Sequence, residues 1–168
     1  LKLFQCVVWF ANRGNNTSDI ANFDLAQQSL PFYIAAGGKV FFSTGFPDNI
    51  TSQGNIINFA PVDSLTAFQF TSLTLQTQTI NFDNSYPVLE SGSPSPDRVR
   101  GILFHNGTPV ICKLPINTPY DTAKITICIK DASQNPKVIF LSVPLNRMNF
   151  NSNGGAFLRR ALNELGIN

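Results

Sequence analysis

The chain has 168 residues, of which 43% are hydrophobic and only 13% are charged, and it contains 15 phenylalanines. This composition indicates one folded domain with a substantial core and argues against a disordered tail. The net charge of +2 is too small for a nucleic-acid interface. No apolar run reaches the length of about 18 residues that a membrane span needs. Asn, Ser and Thr supply much of the polar surface, which favours a secreted or cell-surface location.

The first predicted strand, near 3–10, is an almost continuous apolar run with aromatic and β-branched members. That pattern is typical of a strand covered on both faces. Apolar residues at helical spacing then predict a helix that contains Pro31 and ends at Gly37-Gly38. A second apolar strand over 39–44 follows directly. The three elements therefore predict a β-α-β unit with parallel strands.

The middle of the chain, about 66–130, is predicted to be a β-rich insertion. Within it, Asn106-Gly107 lies between the two apolar runs 102–105 and 108–111. Asn-Gly is the preferred pair for a two-residue type I′ turn, because both of its positions need a positive φ. The sequence therefore predicts a β-hairpin at this point.

A third apolar strand is predicted over 137–143, and a last helix with one apolar face follows it and ends at Gly166. We expect the strands near 3–10, 39–44 and 137–143 to form the parallel core of a single α/β domain over 1–168. The chain opens inside a strand and without Met, so we expect it to be a piece of a larger protein.

The three cysteines, Cys6, Cys112 and Cys128, lie in apolar strand-like runs without C-x-x-C spacing. This arrangement is typical neither of a disulfide framework nor of a zinc site. Buried thiols are expected, and a Cys112–Cys128 bridge stays open if their strands are neighbours. His105 is the only histidine and is expected to be exposed. With no His cluster and no glycine-rich phosphate loop, the sequence predicts no metal and no cofactor.

Ligands of open α/β sheets gather where parallel strands end, so the residues after the three core strands are the candidate ligand-binding residues. They are Asn12, Arg13, Ser43, Thr44, Gly45, Asp48, Asn146 and Arg147. The two arginines are suited to hold a carboxylate or a phosphate. A hydroxyl nucleophile at Ser43 or Thr44 lacks the G-x-S-x-G context. A hydrolase acting on glycan or ester linkages, through Asp48 or one of these hydroxyls, is the alternative.

The segments CVVWF, LPFYIAAGGKVFFSTGF, KVIFLSVPLNRMN and GGAFLRRALNELGI resemble class I glutamine amidotransferase-like domains. The similarity is closest to divergent versions, without catalytic residues, found in large secreted bacterial proteins. Family enzymes carry a nucleophilic Cys after a core strand and a His-Pro-Glu tripeptide where a later core strand ends. Here 43–45 (Ser-Thr-Gly) and 143–145 (Val-Pro-Leu) stand at those points. Nucleophile, base and orienting carboxylate are therefore all replaced.

The resemblance implies a flavodoxin-like, three-layer fold and a structural or interaction module with no catalytic residues. It also implies that another strand and helix precede Leu1. The expected partners are other domains of the same polypeptide or a cell-surface partner, with no nucleic acid and no membrane span.

Overall fold

The computed structural model describes residues 3–11, 17–45, 57–71, 83–90, 92, 98–114, 125–149 and 153–167. Within these residues, the regular elements in chain order are β1 Cys6–Ala11, α1 Thr17–Ala35, β2 Lys39–Thr44, β3 Val62–Thr71, β4 Arg98–Phe104, β5 Val110–Leu114, β6 Ile125–Lys130, β7 Val138–Leu141, a one-turn 3-10 helix Leu145–Arg147 and α2 Gly155–Glu164. No helix in this described part of the chain is long and apolar enough to cross a membrane.

A five-stranded sheet in the order β1-β2-β7-β6-β5 forms the centre of the protein. β1, β2 and β7 are parallel neighbours, which confirms the predicted parallel core and the α/β class. β6 and β5 continue the sheet in antiparallel orientation. The predicted β-rich insertion is therefore only partly separate from the core, because two of its strands extend the central sheet.

The predicted hairpin at Asn106-Gly107 is wrong. β4 pairs with β3 in a separate two-stranded sheet, whereas β5 pairs with β6. The Thr108 N–H does close a turn on the His105 carbonyl at 3.1 Å, but only Gly107 has a positive φ, of 83°. A type I′ turn needs a positive φ at both central residues. This turn instead leads the chain from one sheet into the other.

Alternate residues of the central strands enter two different apolar clusters, as the strand period of two requires. Val40 and Phe42 belong to the cluster that contains the buried face of α1, where the Phe42 ring stacks on Phe140 with centroids 5.5 Å apart. Phe41 and Ile139 belong to the cluster that contains the buried face of α2. Each helix therefore covers one face of the sheet.

Pro31 lies inside α1, where it lacks the N–H that would otherwise bond to the Gln27 carbonyl. Asn58 takes that place, since its Nδ2 donates to the Gln27 carbonyl at 3.0 Å. The Asn58 N–H also donates to Gln27 Oε1 at 2.8 Å. The carbonyl that Pro31 leaves without a helical partner therefore binds Asn58, and this contact attaches the turn before β3 to α1.

α1 ends where the sequence predicts, at Gly37-Gly38. Gly37 has a φ of 91°, and the Gly38 N–H donates to the Tyr33 carbonyl at 3.0 Å. A Cβ at Gly38 would lie 2.3 Å from the Tyr33 ring, whose hydroxyl donates to the Phe4 carbonyl at 2.7 Å. Glycine at both positions allows the chain to pass from the helix into β2 within three residues.

Candidate functional site

The carboxyl ends of β2 and β7 form a rim that brings together two of the segments singled out in the sequence. Ser43 is fully buried there, and its Oγ donates to the Val143 carbonyl at 2.8 Å. The same oxygen accepts the Leu145 N–H at 2.7 Å. β7 has already ended at Leu141, so this hydroxyl fixes the chain where the sheet hydrogen bonds have stopped. The Ser43 hydroxyl therefore acts as both donor and acceptor, and it holds the chain after β7 against the end of β2.

Thr44 and Gly45 continue the rim and are also buried. The Thr44 Oγ1 donates to the Gly45 carbonyl at 3.0 Å. A nucleophilic hydroxyl has to reach both a substrate and a base. Ser43 is 0% exposed and Thr44 is 3% exposed, so neither oxygen is open to a substrate in this conformation.

Glu90 and Gly92 lie against the turn after β7. The Gly92 N–H donates to the Arg147 carbonyl at 2.9 Å, and the Asn149 N–H donates to the Glu90 carbonyl at 2.8 Å. A Cβ at Gly92 would come within 2.7 Å of the Arg147 carbonyl oxygen. Of the predicted binding residues in this turn, Asn146 is exposed and Arg147 is half-buried.

Two groups of the predicted binding residues therefore lie side by side in the structure. Ser43, Thr44 and Gly45 lie beside the turn that carries Asn146 and Arg147, and the Ser43 bond to the Leu145 N–H connects them. Asn12, Arg13 and Asp48 lie outside the described residues. Their place at the rim stays a prediction.

A concave region, which the sequence did not indicate, lies near the amino end of β7. It is an open cleft of about 540 Å³ between the end of α1, the turn 58–61 and the loop 131–138. Asp131 organises that loop. Its Oδ1 accepts the Ser133 N–H at 3.0 Å, and its Oδ2 accepts the N–H groups of Lys137 at 2.5 Å and Val138 at 2.8 Å.

Burial of the Asp131 carboxyl acts to raise its pKa, but the hydrogen bonds from Ser133, Val138 and Lys137 outweigh burial and lower the pKa of Asp131 below its usual value. The carboxylate is therefore charged near neutral pH. Its oxygens already accept backbone N–H groups, so its part in the cleft is to close the loop between β6 and β7.

One residue that lines this cleft, His105, is paired with the carboxylate of Asp63. His105 Nε2 lies 3.2 Å from Asp63 Oδ1, and both side chains are 54% exposed. The prediction that His105 is exposed is confirmed. The sequence does not predict its pairing with Asp63, because that pairing depends on the β3–β4 ladder. Such pairs activate a serine in hydrolases. Ser133 lines the same cleft, but its hydroxyl lies within hydrogen-bond distance of Asp131 and the Asn135 carbonyl.

Within the residues that the structure describes, no three His, Cys, Asp or Glu side chains lie close enough together to hold a metal ion. Comparison of the chain with protein-family models, with curated proteins and with solved structures finds no match in any of the three. The resemblance to amidotransferase-like domains therefore stays a prediction from the sequence segments.

Proposed function

We propose that this chain is a non-catalytic, amidotransferase-like structural or interaction module of an exported bacterial protein. In this proposal the fold is flavodoxin-like with three layers, and the module binds a ligand or a partner at the rim where the parallel strands end. The partner is another domain of the same polypeptide or a cell-surface protein.

The link from Ser43 to Val143 and Leu145 is the observation that carries the proposal. The resemblance assigns the family's nucleophile to 43–45 and its His-Pro-Glu tripeptide to 143–145. These segments, 100 residues apart in sequence, are in direct contact, as a nucleophile and its base have to be. Here the contact joins a hydroxyl to backbone groups, and the Val143 and Leu145 side chains are apolar and buried. The contact therefore supports the family relationship and a structural use of this position.

The arrangement of the sheet supports the proposed fold. β1, β2 and β7 are parallel and adjacent, and α1 connects the first two as a crossover helix. The buried faces of α1 and α2 belong to the clusters on opposite sides of this sheet. A helix layer on each face of a partly parallel sheet is the arrangement expected of a doubly wound α/β domain.

The binding half of the proposal depends on the turn after β7. Asn146 is exposed there, and Arg147 is half-buried with its carbonyl held by Gly92. An amide offers one acceptor and two donors, and a guanidinium offers a fork of donors that matches carboxylate or phosphate oxygens. These two groups suit recognition of an anionic group on a ligand or on a partner's surface.

The claim that the module is not catalytic is tested by incubating the purified chain with L-glutamine and with p-nitrophenyl acetate. We expect no ammonia and no nitrophenolate above the buffer rate, and no gain in Ser43→Cys, because no base is present at 143–145 to activate the thiol. Ser43→Ala serves as the matched control. A hydrolytic rate in the wild type that Ser43→Ala abolishes, with circular dichroism unchanged, would overturn the proposal.

The binding half is tested by titrating succinate and inorganic phosphate into the isotopically labelled chain. We expect shifts of the backbone amide resonances at 44–45 and 145–149, weakened at least about threefold in Arg147→Gln. Lys137→Gln, at the opposite end of β7, is the control and is expected to bind as the wild type does. Shifts confined to the loop 131–138, or none at all, would contradict binding at the rim.

A further inference from the structure

Cys112 and Cys128 occupy facing positions on neighbouring antiparallel strands. β5 pairs with β6, and Cys112 is the register partner of Cys128. Both side chains are 0% exposed and belong to the same apolar cluster, so they point to the same face of the sheet. Both are free thiols in the structure. The condition that the sequence left open, that the two strands be neighbours, is met.

The backbone geometry of such a pair suits a covalent bridge. Facing residues of an antiparallel ladder have Cα atoms about 4.5–5.5 Å apart. Disulfides span Cα separations of about 4.4–6.8 Å. The ladder is irregular on both sides of Cys112, but Cys112 and Cys128 themselves remain paired.

The third cysteine cannot compete for either partner in the folded protein. Cys6 lies on β1, and β2 and β7 separate that strand from β6. Three strand spacings amount to about 14 Å, and a disulfide cannot bridge Cα atoms more than about 7 Å apart. A bridge that includes Cys6 is therefore incompatible with the folded sheet, so Cys6 is expected to be a thiol in the folded protein and provides an internal reference.

We propose that Cys112 and Cys128 are a disulfide-forming pair, oxidised as the chain folds in an oxidising compartment. The S–S bond forms between the two Sγ atoms, and the two S–H bonds are lost with two protons and two electrons. A disulfide oxidant, such as glutathione disulfide or a disulfide-carrying oxidoreductase, accepts them and is reduced to two thiols. The bridge ties the edge strand β5 to β6.

The burial of the pair determines when the reaction takes place. Desolvation, together with the neighbouring Cys112 thiol, raises the pKa of Cys128 well above that of a free thiol. A thiol that ionises so rarely attacks disulfides slowly, and the core excludes the oxidant. Oxidation therefore precedes complete closure of the core, and a bridge once formed is protected from reductants.

The test refolds the reduced, unfolded full chain in buffer containing reduced and oxidised glutathione. Thiols are then alkylated in denaturant before and after reduction, and the peptides are mapped by mass spectrometry. Alkylation in denaturant makes buried and exposed thiols equally reactive. We expect Cys6 to be alkylated at the first step and Cys112 and Cys128 only at the second. Alkylation of all three at the first step, or a bridge that includes Cys6, would overturn the proposal.

A second measurement compares thermal unfolding of the chain refolded in the glutathione buffer with that of the chain refolded in a strong reductant, because a buried bridge is protected from reductant added later. The bridged wild type and Cys6→Ser are expected to lose about 5–10 °C in unfolding midpoint when reduced. Cys112→Ala and Cys128→Ala are expected to show no dependence on reductant. Equal midpoints for the wild type in both conditions would contradict the bridge, and this comparison does not require either alanine variant to fold.

Discussion

The two ends of β7 are fixed by polar side chains of opposite character. At the carboxyl end, the neutral Ser43 hydroxyl is buried and binds the Val143 carbonyl and the Leu145 N–H. At the amino end, the partly exposed Asp131 carboxylate accepts the Lys137 and Val138 N–H groups. Both links satisfy backbone groups where the sheet ladder stops. The carboxyl end therefore depends on burial, where water cannot replace a lost hydrogen bond, and the amino end depends on charge.

The largest effect is expected from removing the buried link. Ser43→Ala leaves the Leu145 N–H and the Val143 carbonyl without their partner in the core, and each such group costs about 1–3 kcal/mol. We expect the free energy of unfolding, measured by urea titration, to fall by about 2–4 kcal/mol.

Thr44→Val is the matched control for this measurement. It removes a hydroxyl that bonds only to the neighbouring Gly45 carbonyl among the contacts of the described residues, so a loss of about 1 kcal/mol is expected. Equal losses in Ser43→Ala and Thr44→Val would show that the hydrogen bonds across the rim contribute no more to the free energy of unfolding than the local bond of Thr44.

A smaller effect is expected at the amino end. Asp131→Asn keeps the shape but replaces one acceptor oxygen with a donor that faces N–H groups. Because water reaches part of this site, we expect a loss of only about 1–2 kcal/mol in the same urea titration. Asp63→Asn, at an exposed carboxylate on β3, is the control and should change the unfolding free energy by less than about 0.5 kcal/mol. A larger loss in Asp63→Asn would place the critical charge of this end at the His105 pair.

The sequence predicted the parallel strands because their signal is local. β1, β2 and β7 carry apolar residues on both faces, and Gly37-Gly38 marks the end of the helix between β1 and β2. The expected burial of both faces is wrong for β1, where Val8 is 37% and Phe10 is 45% exposed. The hairpin at Asn106-Gly107 was wrong because the turn type depends on which strand pairs with β4, and that choice is tertiary. The same turn residues serve whether the chain folds back or changes sheets.

The site was predictable only in part, for similar reasons. The sequence predicts that the ends of β2 and β7 lie at the same edge, because both are strands of one parallel sheet. The role of the Ser43 hydroxyl is not predictable in this way, because it depends on backbone groups 100 residues away. Asp131 did carry a usable local signal. Its bond to the Ser133 N–H is the Asx-turn pattern of an Asp two residues before the donor, and Asp83 repeats it with Ser85 at 2.9 Å.

The smallest effect, and the one that separates charge from burial, is in the pH dependence. The pKa of Asp131 is lower in the folded protein than the value of about 3.9 expected when unfolded. Its contribution to stability is therefore present above that unfolded value and is lost as the pH falls through the folded one. Ser43 does not titrate, so the Ser43→Ala curve of unfolding free energy against pH should run parallel to that of the wild type.

The Asp131→Asn curve should instead approach the wild-type curve as the pH falls below about 4, because the wild-type carboxylate is then protonated as well. Asp83 and Glu164 also have lowered pKa values and give every variant some loss of stability in acid. The informative quantity is therefore the gap between two curves and not the slope of one. A gap that stays constant for Asp131→Asn would mean that geometry alone holds the amino end of β7, as it does the carboxyl end.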